Sequence, residues 1–434
     1  MKVKKSKYNV DIQRDVLNKV NNYYKILGID NRKEKSIKFH LKYKEEAEKL
    51  FKKYKFVNLI TIEFHAFGET LPRLYTLLQD IKEKNNSGLY VVLPYFYSGF
   101  KGDIPNKRMF DLFEEDMTFI KESNLEFWKY IFLFYFSKIN IDNYFSYLVR
   151  SAMIPYTQMG KPLIEFSDVV EKEAKEKFKE LSIHEPFVGL HVRDSGCTKF
   201  FSNKIESGLR ESDIYSLKKS CEEMLKLGIR PIRMGKFETR KLNISGVIDY
   251  AGQYHDDLLD FYLISKCKFM LGTNSGLSCM VPFFGRPLLR VNAFGDNLIF
   301  ESVAITDYDM YIPKKLWSDK EKRYLNLRES LDMHDFCLLN TTNYHVNGIK
   351  VRDNTEEEIW EAVQEMNYRI DGTWIVTKEE KECYKKYNEI VEKWINKRKS
   401  INMRRLMRAK GFTLPAIPIC YSYLKKNIYL LEEI

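Results

Sequence analysis

FVGLHVRD, residues 187–194, is an apolar run that turns polar at His191, Arg193 and Asp194. Its length and composition predict a buried β-strand that ends in a charged loop. Strand and helix patterns then alternate as far as residue 292. Because such alternation is typical of a parallel sheet covered by helices, we predict an α/β fold for this part of the chain.

Two later segments have the same form, an apolar strand followed by polar or small residues: IRPIRMGK, residues 229–236, and MLGTNSG, residues 270–276. The residues at their ends are Arg233, Gly235, Lys236, Thr273, Asn274, Ser275 and Gly276. Ligands of open parallel sheets bind at the carboxyl ends of the strands, so we expect these residues to converge there. Basic side chains and accessible backbone N–H groups suit a phosphorylated ligand. We therefore predict a nucleotide-diphosphate site.

The order of residues at the first strand end predicts which side chains face the ligand. Residues two apart on a strand face the same side, so we expect His191 and Arg193 to share one crevice while Val192 packs behind them. A guanidinium matches two phosphate oxygens, and an imidazole can donate to a phosphate or to a sugar hydroxyl. The alternative is a surface arginine beside a structural histidine.

The GTNSG turn, residues 272–276, is the most specific of the three strand ends. We expect the helix that follows it to direct its positive end at an anion, with Asn274 or Ser275 as N-cap. The alternative is an ordinary capped turn.

At the second strand end, Gly235 would let a ligand approach the backbone closely. The alternative is a turn with solvated charges. Asp249, which follows an apolar pair, is either a ligand-binding residue or an anchor for its loop.

The first half of the chain contains a βαβ pattern, in which strands near 55–64 and 88–96 flank a helix. HAFGETLPRL, residues 65–74, follows the first strand. Glu69 opens the helix and is a candidate general base for an acceptor hydroxyl, with His65 as its nearest competitor. The alternative is that Glu69 only stabilises the helix N-terminus through the helix dipole.

The composition is that of an ordinary globular protein, with 44% hydrophobic residues, 30% charged residues and a net charge of +11. The basic residues are interleaved with 60 acidic ones and no nucleic-acid-binding motif is present, so we predict no nucleic-acid partner.

Neither a P-loop nor an early GxGxxG motif is present. The seven cysteines form no CxxC pair and the His, Cys and Asp residues lack zinc spacing, which predicts reduced thiols and no metal. The sequence has neither the apolar core of a secretory signal nor an uncharged run of about 20 residues.

These patterns predict three parts: an N-terminal α/β domain with a helical insert at 1–170, a nucleotide-binding α/β domain at 187–371, and a basic helical segment at 372–434. A charged helical stretch that closes with Pro186 marks the boundary between the first two parts.

Longer strings around these strand ends resemble a group of bacterial glycosyltransferases found with surface-polysaccharide genes. The strings are HVRD (191–194), RESDIYSLKKSCEEMLKLGIRPIRMGK (210–236), VIDYA (247–251), DLLDFYLISKC (257–267), FMLGTNSGLSCMVPFFGRPLLRVN (269–292), YIPKKLW (311–317) and PAIPICYSYLKKN (415–427). The HxR element formed by His191 and Arg193 is also similar to that of GT-B fucosyltransferases, in which the arginine binds the donor diphosphate. FGETLPRL, residues 67–74, resembles the G-D-x-x-x-x-x-P segment of heptosyltransferase-like enzymes, in which the acid is the proposed base. Glu69 stands here in place of that aspartate.

The resemblance implies a GT-B-like architecture, with two Rossmann-like α/β domains facing a cleft and C-terminal helices crossing back. It implies transfer of a hexosyl or deoxyhexosyl group from a nucleotide sugar, which is a substrate and not a cofactor, to a hydroxyl of a glycan or lipid-linked acceptor in surface-polysaccharide synthesis. Arg193 and Lys236, with the amides of the GTNSG turn, would stabilise the leaving diphosphate without a metal, and a single displacement would invert the anomeric carbon. The alternatives are a nucleotide-sugar epimerase of the same fold and a non-catalytic carbohydrate-binding protein.

Residues 393–430 contain no Asp or Glu. Their basic residues are Lys393, Lys397, Arg398, Lys399, Arg404, Arg405, Arg408, Lys410, Lys425 and Lys426. Such a segment suits docking on an anionic membrane surface, where each nearby basic residue contributes about 1 kcal/mol. The alternative is a solvated helix face that packs on the N-terminal domain. We therefore predict a cytoplasmic enzyme, peripherally attached to the inner face of the membrane.

Overall fold

The computed structural model describes residues 37–63, 67–84, 88–95, 106–142, 158–194, 208–236, 240–295, 306–337, 341–397 and 417–432. The chain divides into two compact units. The first unit comprises Met1–Phe64, Leu77–Tyr97 and Phe113–Ser146, and the second comprises His65–Thr76, Ser98–Leu112 and Tyr147–Ile434. Helix Asp168–Glu180 packs on helix Asp257–Lys266 inside the second unit, and the domain boundary near Pro186 stays a prediction.

The first unit is built on a four-stranded parallel sheet. Its elements are α1 (Ile37–Lys53), β1 (Val57–Glu63), the second half of α2 (Phe67–Lys84), β2 (Leu89–Tyr95), β3 (Thr118–Phe119), α3 (Leu125–Phe134) and β4 (Ile139–Asp142). The strand order is β3-β2-β1-β4. The predicted βαβ pattern is confirmed, with Val57 paired to Leu89 at the start of the two long strands. Residues 106–142 contain α3, the short strands β3 and β4, and three 3-10 helices, Lys107–Leu112, Glu122–Asn124 and Phe136–Lys138, and the helical insert stays a prediction.

The second unit contains a five-stranded parallel sheet. Its strands are β5 (Phe187–His191), β6 (Arg230–Arg233), β7 (Met270–Gly272), β8 (Leu288–Ala293) and β9 (Met310–Pro313). The strand order is β6-β5-β7-β8-β9. The predicted α/β class is therefore confirmed in both units. Residues along β5, β7 and β8 are buried almost throughout, as is typical of parallel strands covered on both faces.

Helices cover this second sheet and their starts follow local chemistry. They are α4 (Asp168–Glu180), α5 (Lys218–Lys226), α6 (Tyr250–Gln253), α7 (Asp257–Lys266) and α10 (Glu356–Ile370). Asp256 caps α7 by accepting the N–H groups of Leu258 and Leu259. Thr355 and Glu358 form a reciprocal capping box at the start of α10.

A small antiparallel sheet, which the sequence patterns did not predict, follows β9. It consists of β10 (Lys315–Ser318), β11 (Arg323–Tyr324) and β12 (Ile349–Arg352), with α8 (Leu327–Cys337) and α9 (Thr341–Val346) between the last two strands. Its own small core forms around Phe294, Leu316 and Tyr344. The strands are only two to four residues long, too short for an alternating pattern to stand out.

The C-terminal residues pack into the core of the second unit. Helix α11 (Lys378–Lys397) contributes Tyr387 and Trp394 to that core, and α12 (Tyr421–Lys426) contributes Leu424. The fully buried carboxylate of Glu365 on α10 accepts the backbone N–H groups of Tyr421, at 3.0 Å, and Ser422, at 2.7 Å. The segment predicted as a separate part is thus integral to this unit wherever the structure describes it, while residues 398–416 of its basic stretch lie outside the described ranges.

Within the ranges given above, no helix combines the length and the apolar character that crossing a bilayer requires. The facing of two domains across a cleft stays a prediction.

Candidate functional site

The candidate site lies where the chain changes direction within the five-stranded sheet. From β5 the chain first forms β6 on one side, and then crosses to form β7 on the other side of β5. This makes the gap between the ends of β5 and β7 a topological switch point, the place where open α/β sheets bind their ligands. Strand β5 ends at His191 and is followed by residues 192–194, and residues 273–276 follow β7, so two of the three predicted strand ends meet at this point.

Hydrogen bonds join the ends of β5 and β7. The N–H of Thr273 donates to the carbonyl of His191 at 3.0 Å, and the N–H of Arg193 donates to the Thr273 hydroxyl at 2.8 Å. Only glycine fits at residue 272, because a Cβ atom there would lie 2.3 Å from the His191 carbonyl oxygen. The Thr273 side chain is buried and positions the backbone of Arg193.

His191 and Arg193 are partly exposed, whereas Val192 between them is buried in the core, as the strand alternation predicts. The Nδ1 atom of His191 lies 3.0 Å from the carbonyl oxygen of Met234, so that nitrogen carries the proton. Burial lowers the pKa of His191, and the positive charges of Arg233 and Arg193 lower it further. The ring is therefore a neutral imidazole at neutral pH, with its lone pair on Nε2.

Arg233 and Asp249, both predicted to bind the donor, form a buried ion pair with each other. One guanidinium nitrogen of Arg233 lies 3.0 Å from each carboxylate oxygen of Asp249, and the Arg233 residue is only 2% exposed. Asp249 also accepts the backbone N–H of Leu242 at 3.2 Å. Because a buried charge requires a partner, this geometry favours the loop-anchor interpretation of Asp249 and gives Arg233 a structural role beside the site.

The loop after β6 is held at both ends. Its first residue, Met234, donates its N–H to Leu190 at 2.7 Å and accepts from His191. Gly235 has a φ of +139°, which only glycine adopts easily. Lys236 follows, and its ammonium lies 3.0 Å from Asp257 at the start of α7. Lys236 is thus in an ion pair, and its part in donor binding stays a prediction.

The residues after β7 form a hydrogen-bonded turn. The Ser275 hydroxyl accepts the N–H of Ser278 at 3.1 Å, and the Asn274 side chain accepts the N–H of Phe294 at 3.1 Å. The helix that follows is a 3-10 helix of seven residues, Ser278–Phe284, because it contains Pro282 and ends at Gly285. The expected α-helix is therefore not formed here, and anion binding at this turn would depend mainly on its backbone N–H groups.

Helix α2, which carries Glu69, begins beside this turn within the second unit. A Cβ atom added at Gly68 would lie 3.1 Å from the Cα of Gly276 and 3.2 Å from Cys279. The backbone of the first turn of α2 therefore touches the predicted donor-binding turn. The Glu69 side chain and the whole of His65 lie outside the described residues, so their roles stay predictions.

Lys236 contacts a polar cluster that the sequence patterns did not single out. One nitrogen of His255 and one carboxylate oxygen from each of Asp257 and Asp260 lie within 4.8 Å of one another. Burial raises the pKa of Asp260. Burial alone would lower the pKa of His255, but the hydrogen bond to Asp260 and the negative charge of Asp260 raise it overall. Asn106 donates a hydrogen bond to the Asp260 carboxylate at 3.4 Å, and the Lys236 ammonium donates to the Asp257 carboxylate at 3.0 Å. The i, i+3 spacing of the two aspartates is the only sequence signal for this cluster. The prediction that the protein uses no metal stays a prediction.

No model of a known protein family matches this chain, and no curated protein matches it. Among solved structures it is similar to a glycosyl transferase family 9 protein from Veillonella parvula DSM 2008, with 10% identity and a TM-score of 0.42, over 73% of this chain and 98% of that one. It is also similar to E. coli ADP-heptose lps heptosyltransferase II, with 11% identity and a TM-score of 0.40, over 73% of this chain and 99% of that one. A third is E. coli heptosyltransferase WaaC with ADP-2-deoxy-2-fluoro heptose, with 12% identity and a TM-score of 0.30, over 58% of this chain and 92% of that one. Likeness at this level implies no activity, which has to rest on the residues of the site.

Proposed function

We propose that this protein is a glycosyltransferase that moves a sugar from a nucleotide-sugar donor to a hydroxyl of a glycan or lipid-linked acceptor in surface-glycan synthesis. The observation that carries the proposal is the meeting of His191–Asp194 with the turn at 273–276, at the switch point of a parallel sheet. A basic side chain, a neutral imidazole and a turn of small residues at such a point suit a nucleoside diphosphate better than an uncharged ligand.

Arg193 is the residue to which we assign the diphosphate. Its N–H donates to Thr273 at 2.8 Å and its carbonyl accepts the N–H of Ser212 at 3.0 Å, so its backbone is fixed on both sides. Because the backbone is already fixed, only the side chain has to be ordered when the guanidinium binds a phosphate. Neutral His191, held by Met234, is suited to a hydroxyl or a phosphate oxygen of the same donor.

Lys236 supplies a second positive charge beside the donor. Its ion pair with Asp257 is partly exposed, and such pairs contribute only about 0–1 kcal/mol. A diphosphate can therefore compete with Asp257 for the ammonium at little cost. Fixed positive charges and N–H groups of this kind stabilise a leaving diphosphate without a metal.

The reaction we propose is a single displacement. Glu69 takes the proton of the acceptor hydroxyl, the acceptor oxygen bonds to the anomeric carbon, and the bond from that carbon to the diphosphate oxygen breaks. The nucleoside diphosphate leaves with the electron pair, and the anomeric carbon is inverted. The start of α2 beside Gly276 supports this role for Glu69, and His65 is the alternative base. The transferred group in this proposal is hexosyl or deoxyhexosyl.

Incubation with a panel of nucleotide sugars, with and without glycan acceptors, tests the proposal. We expect acceptor-dependent release of nucleoside diphosphate that Arg193→Ala abolishes. Arg352→Ala is the matched control, because Arg352 is an exposed arginine on β12 of the small antiparallel sheet. Formation of an isomeric nucleotide sugar without acceptor would show an epimerase instead, and the absence of both turnover and nucleotide binding would contradict the proposal.

A further inference from the structure

One carboxylate oxygen of Asp257 is shared by two basic side chains of the second unit. This atom, Oδ1, lies 3.0 Å from the ammonium of Lys236 and 3.8 Å from Nε2 of His255. All three side chains are partly exposed, so solvent protons and a ligand can reach them. Because one oxygen faces both basic groups, a change at either group alters the electrostatic environment of the other.

The Asp257 carboxylate is held in place by the chain segment at 106–107. Its other oxygen, Oδ2, accepts the backbone N–H of Lys107 at 2.9 Å, and its backbone carbonyl accepts the side-chain amide of Asn106 at 2.7 Å. Lys236, by contrast, carries its charge on a flexible four-carbon stem. If the ammonium turns towards another anion, Oδ1 of Asp257 therefore stays where it is, beside His255.

The buried carboxylate of Asp260 orients the His255 ring. Asp260 is 5% exposed, and its Oδ2 lies 3.3 Å from Nε2 of His255. Burial by itself lowers the pKa of His255, but the hydrogen bond and the charge of Asp260 raise it above 6.5 overall, and the charge of Lys236 opposes that rise. The protonation of His255 thus depends on where the Lys236 ammonium lies.

The other charged side chains on the neighbouring elements pair with one another. Burial raises the pKa of the Tyr250 hydroxyl, so this group stays neutral, and the Lys107 side chain is exposed. These partners are the same whether or not Lys236 contacts Asp257, so the difference between the two states comes from Lys236, Asp257 and His255. The pairs are Asp256–Lys177, Arg108–Glu173, Arg108–Asp111 and Arg233–Asp249.

We propose that His255 is a positioning residue for the transfer reaction: in its protonated form it takes the place of Lys236 at Asp257, and so releases the ammonium to the donor diphosphate. This inference rests on the proposed function, because it needs an anionic ligand beside Lys236. When the diphosphate draws Lys236 away, Asp257 is left without its cation and His255 takes up a proton from solvent. Because coupling between two binding events is reciprocal, protonated His255 strengthens diphosphate binding by the same factor.

The coupling has a defined direction with pH. The pKa of His255 lies above 6.5 in the free protein and is higher again in the complex, where the opposing charge of Lys236 is gone. The contribution of His255 to affinity is therefore complete below pH 6.5 and is lost as the pH rises through the two pKa values. We expect this loss to be about fivefold, the lower end of the usual coupling between two sites.

An NMR titration of His255 in the free protein tests the linkage without any ligand. The resonance of His255 is the one that is missing from His255→Gln. The pKa of His255 should rise in Lys236→Gln, which removes a positive charge, and fall in Asp257→Asn, which removes a negative one. Lys350→Gln is the matched control and should not change it, because Lys350 forms its 2.8 Å ion pair with Asp319 next to the small antiparallel sheet. An unchanged pKa in Lys236→Gln would overturn the proposal, whether or not a nucleotide binds.

Calorimetry with ADP, GDP, UDP and CDP over a series of pH values tests the effect on binding. As the pH rises from 6.5, the affinity of the wild type should fall about fivefold more than that of His255→Gln. This comparison cancels the titration of the nucleotide and of His191, and a purely structural role of His255 would lower the affinity equally at every pH. Circular dichroism confirms that each variant is folded.

The outcomes separate this proposal from the proposed function. Equal pH dependence of the wild type and His255→Gln, with nucleotide binding intact, would overturn the role of His255 alone. No binding of any of the four nucleotides would overturn the proposed function and this role together.

Discussion

The buried hydroxyl of Thr273 accepts a hydrogen bond from the backbone N–H of Arg193 at 2.8 Å. This single contact joins the residue after β7 to the residue that we assign to the donor diphosphate. The N–H of Thr273 in turn donates to the carbonyl of His191, so the two strand ends hold each other in a defined register. The geometry of the proposed donor site thus depends on a residue that is itself buried.

Thr273→Val should weaken nucleoside diphosphate binding and lower the free energy of unfolding, although it preserves the shape of the side chain. It leaves the Arg193 N–H without its acceptor, and an unsatisfied buried donor costs about 1–3 kcal/mol. Thr273→Ser retains the hydroxyl and is the control. Thermal unfolding and calorimetry measure the two effects, and a Val variant that matches the Ser variant in both would show that the hydrogen bond is unimportant.

Glu69→Gln should leave donor binding nearly intact and lower turnover by roughly 10²–10⁴-fold, the usual contribution of a general base. Calorimetry with the nucleoside diphosphate and a rate assay with donor and acceptor separate the two steps. If Glu69→Gln turns over at the wild-type rate, the carboxylate only stabilises the start of α2. His65→Asn would then be the variant to measure.

Arg233 and Asp249 should contribute to the free energy of unfolding only as a pair, each compensating the buried charge of the other. Asp249→Asn leaves the Arg233 charge buried without its counter-ion, which should lower the free energy of unfolding by about 3–5 kcal/mol. Replacing both residues with apolar ones of similar size, Arg233→Met with Asp249→Leu, should cost much less. Denaturant unfolding of the two variants decides the matter. Equal losses of stability would mean that the residues do not act through each other.

His191 should make the stability of the protein depend on pH in a defined direction. Its pKa in the folded state lies below its ordinary value of 6.5, so the unfolded chain binds this proton more readily. The folded state therefore loses stability as pH falls below 6.5, until the pH passes the folded-state pKa. His191→Asn should remove this pH-dependent part of the stability. The difference in the free energy of unfolding between the wild type and the variant, measured at a series of pH values, shows the effect. A constant difference across the range would refute the assignment of a neutral imidazole with a lowered pKa.

Much of the sheet was predictable because its strands are short apolar runs with abrupt polar ends. The patterns at 187–194, 229–236 and 270–276 each contain the observed strand, and the alternation of His191, Val192 and Arg193 was predicted correctly. Strand order was not predictable, because it depends on long-range pairing that leaves no local pattern. The same holds for the Arg233–Asp249 pair, whose members lie 16 residues apart on separate segments. The seven-residue 3-10 helix after the GTNSG turn differs from the expected α-helix, and Pro282 inside it, which disfavours an α-helix because it lacks an N–H, was a signal present in the sequence.

Calorimetric titration of ADP, GDP, UDP and CDP into the wild-type chain and into Arg193→Ala and Arg193→Lys tests the central claim most directly. We predict that at least one of these nucleotides binds the wild type, and that both variants bind it more weakly by about 1.5–3 kcal/mol, because a point charge does not replace the two-pronged guanidinium. Arg352→Ala should bind as the wild type does. Equal affinity of a folded Arg193→Ala variant and the wild type, or no binding of any of the four nucleotides, would contradict a nucleoside diphosphate site at the ends of β5 and β7.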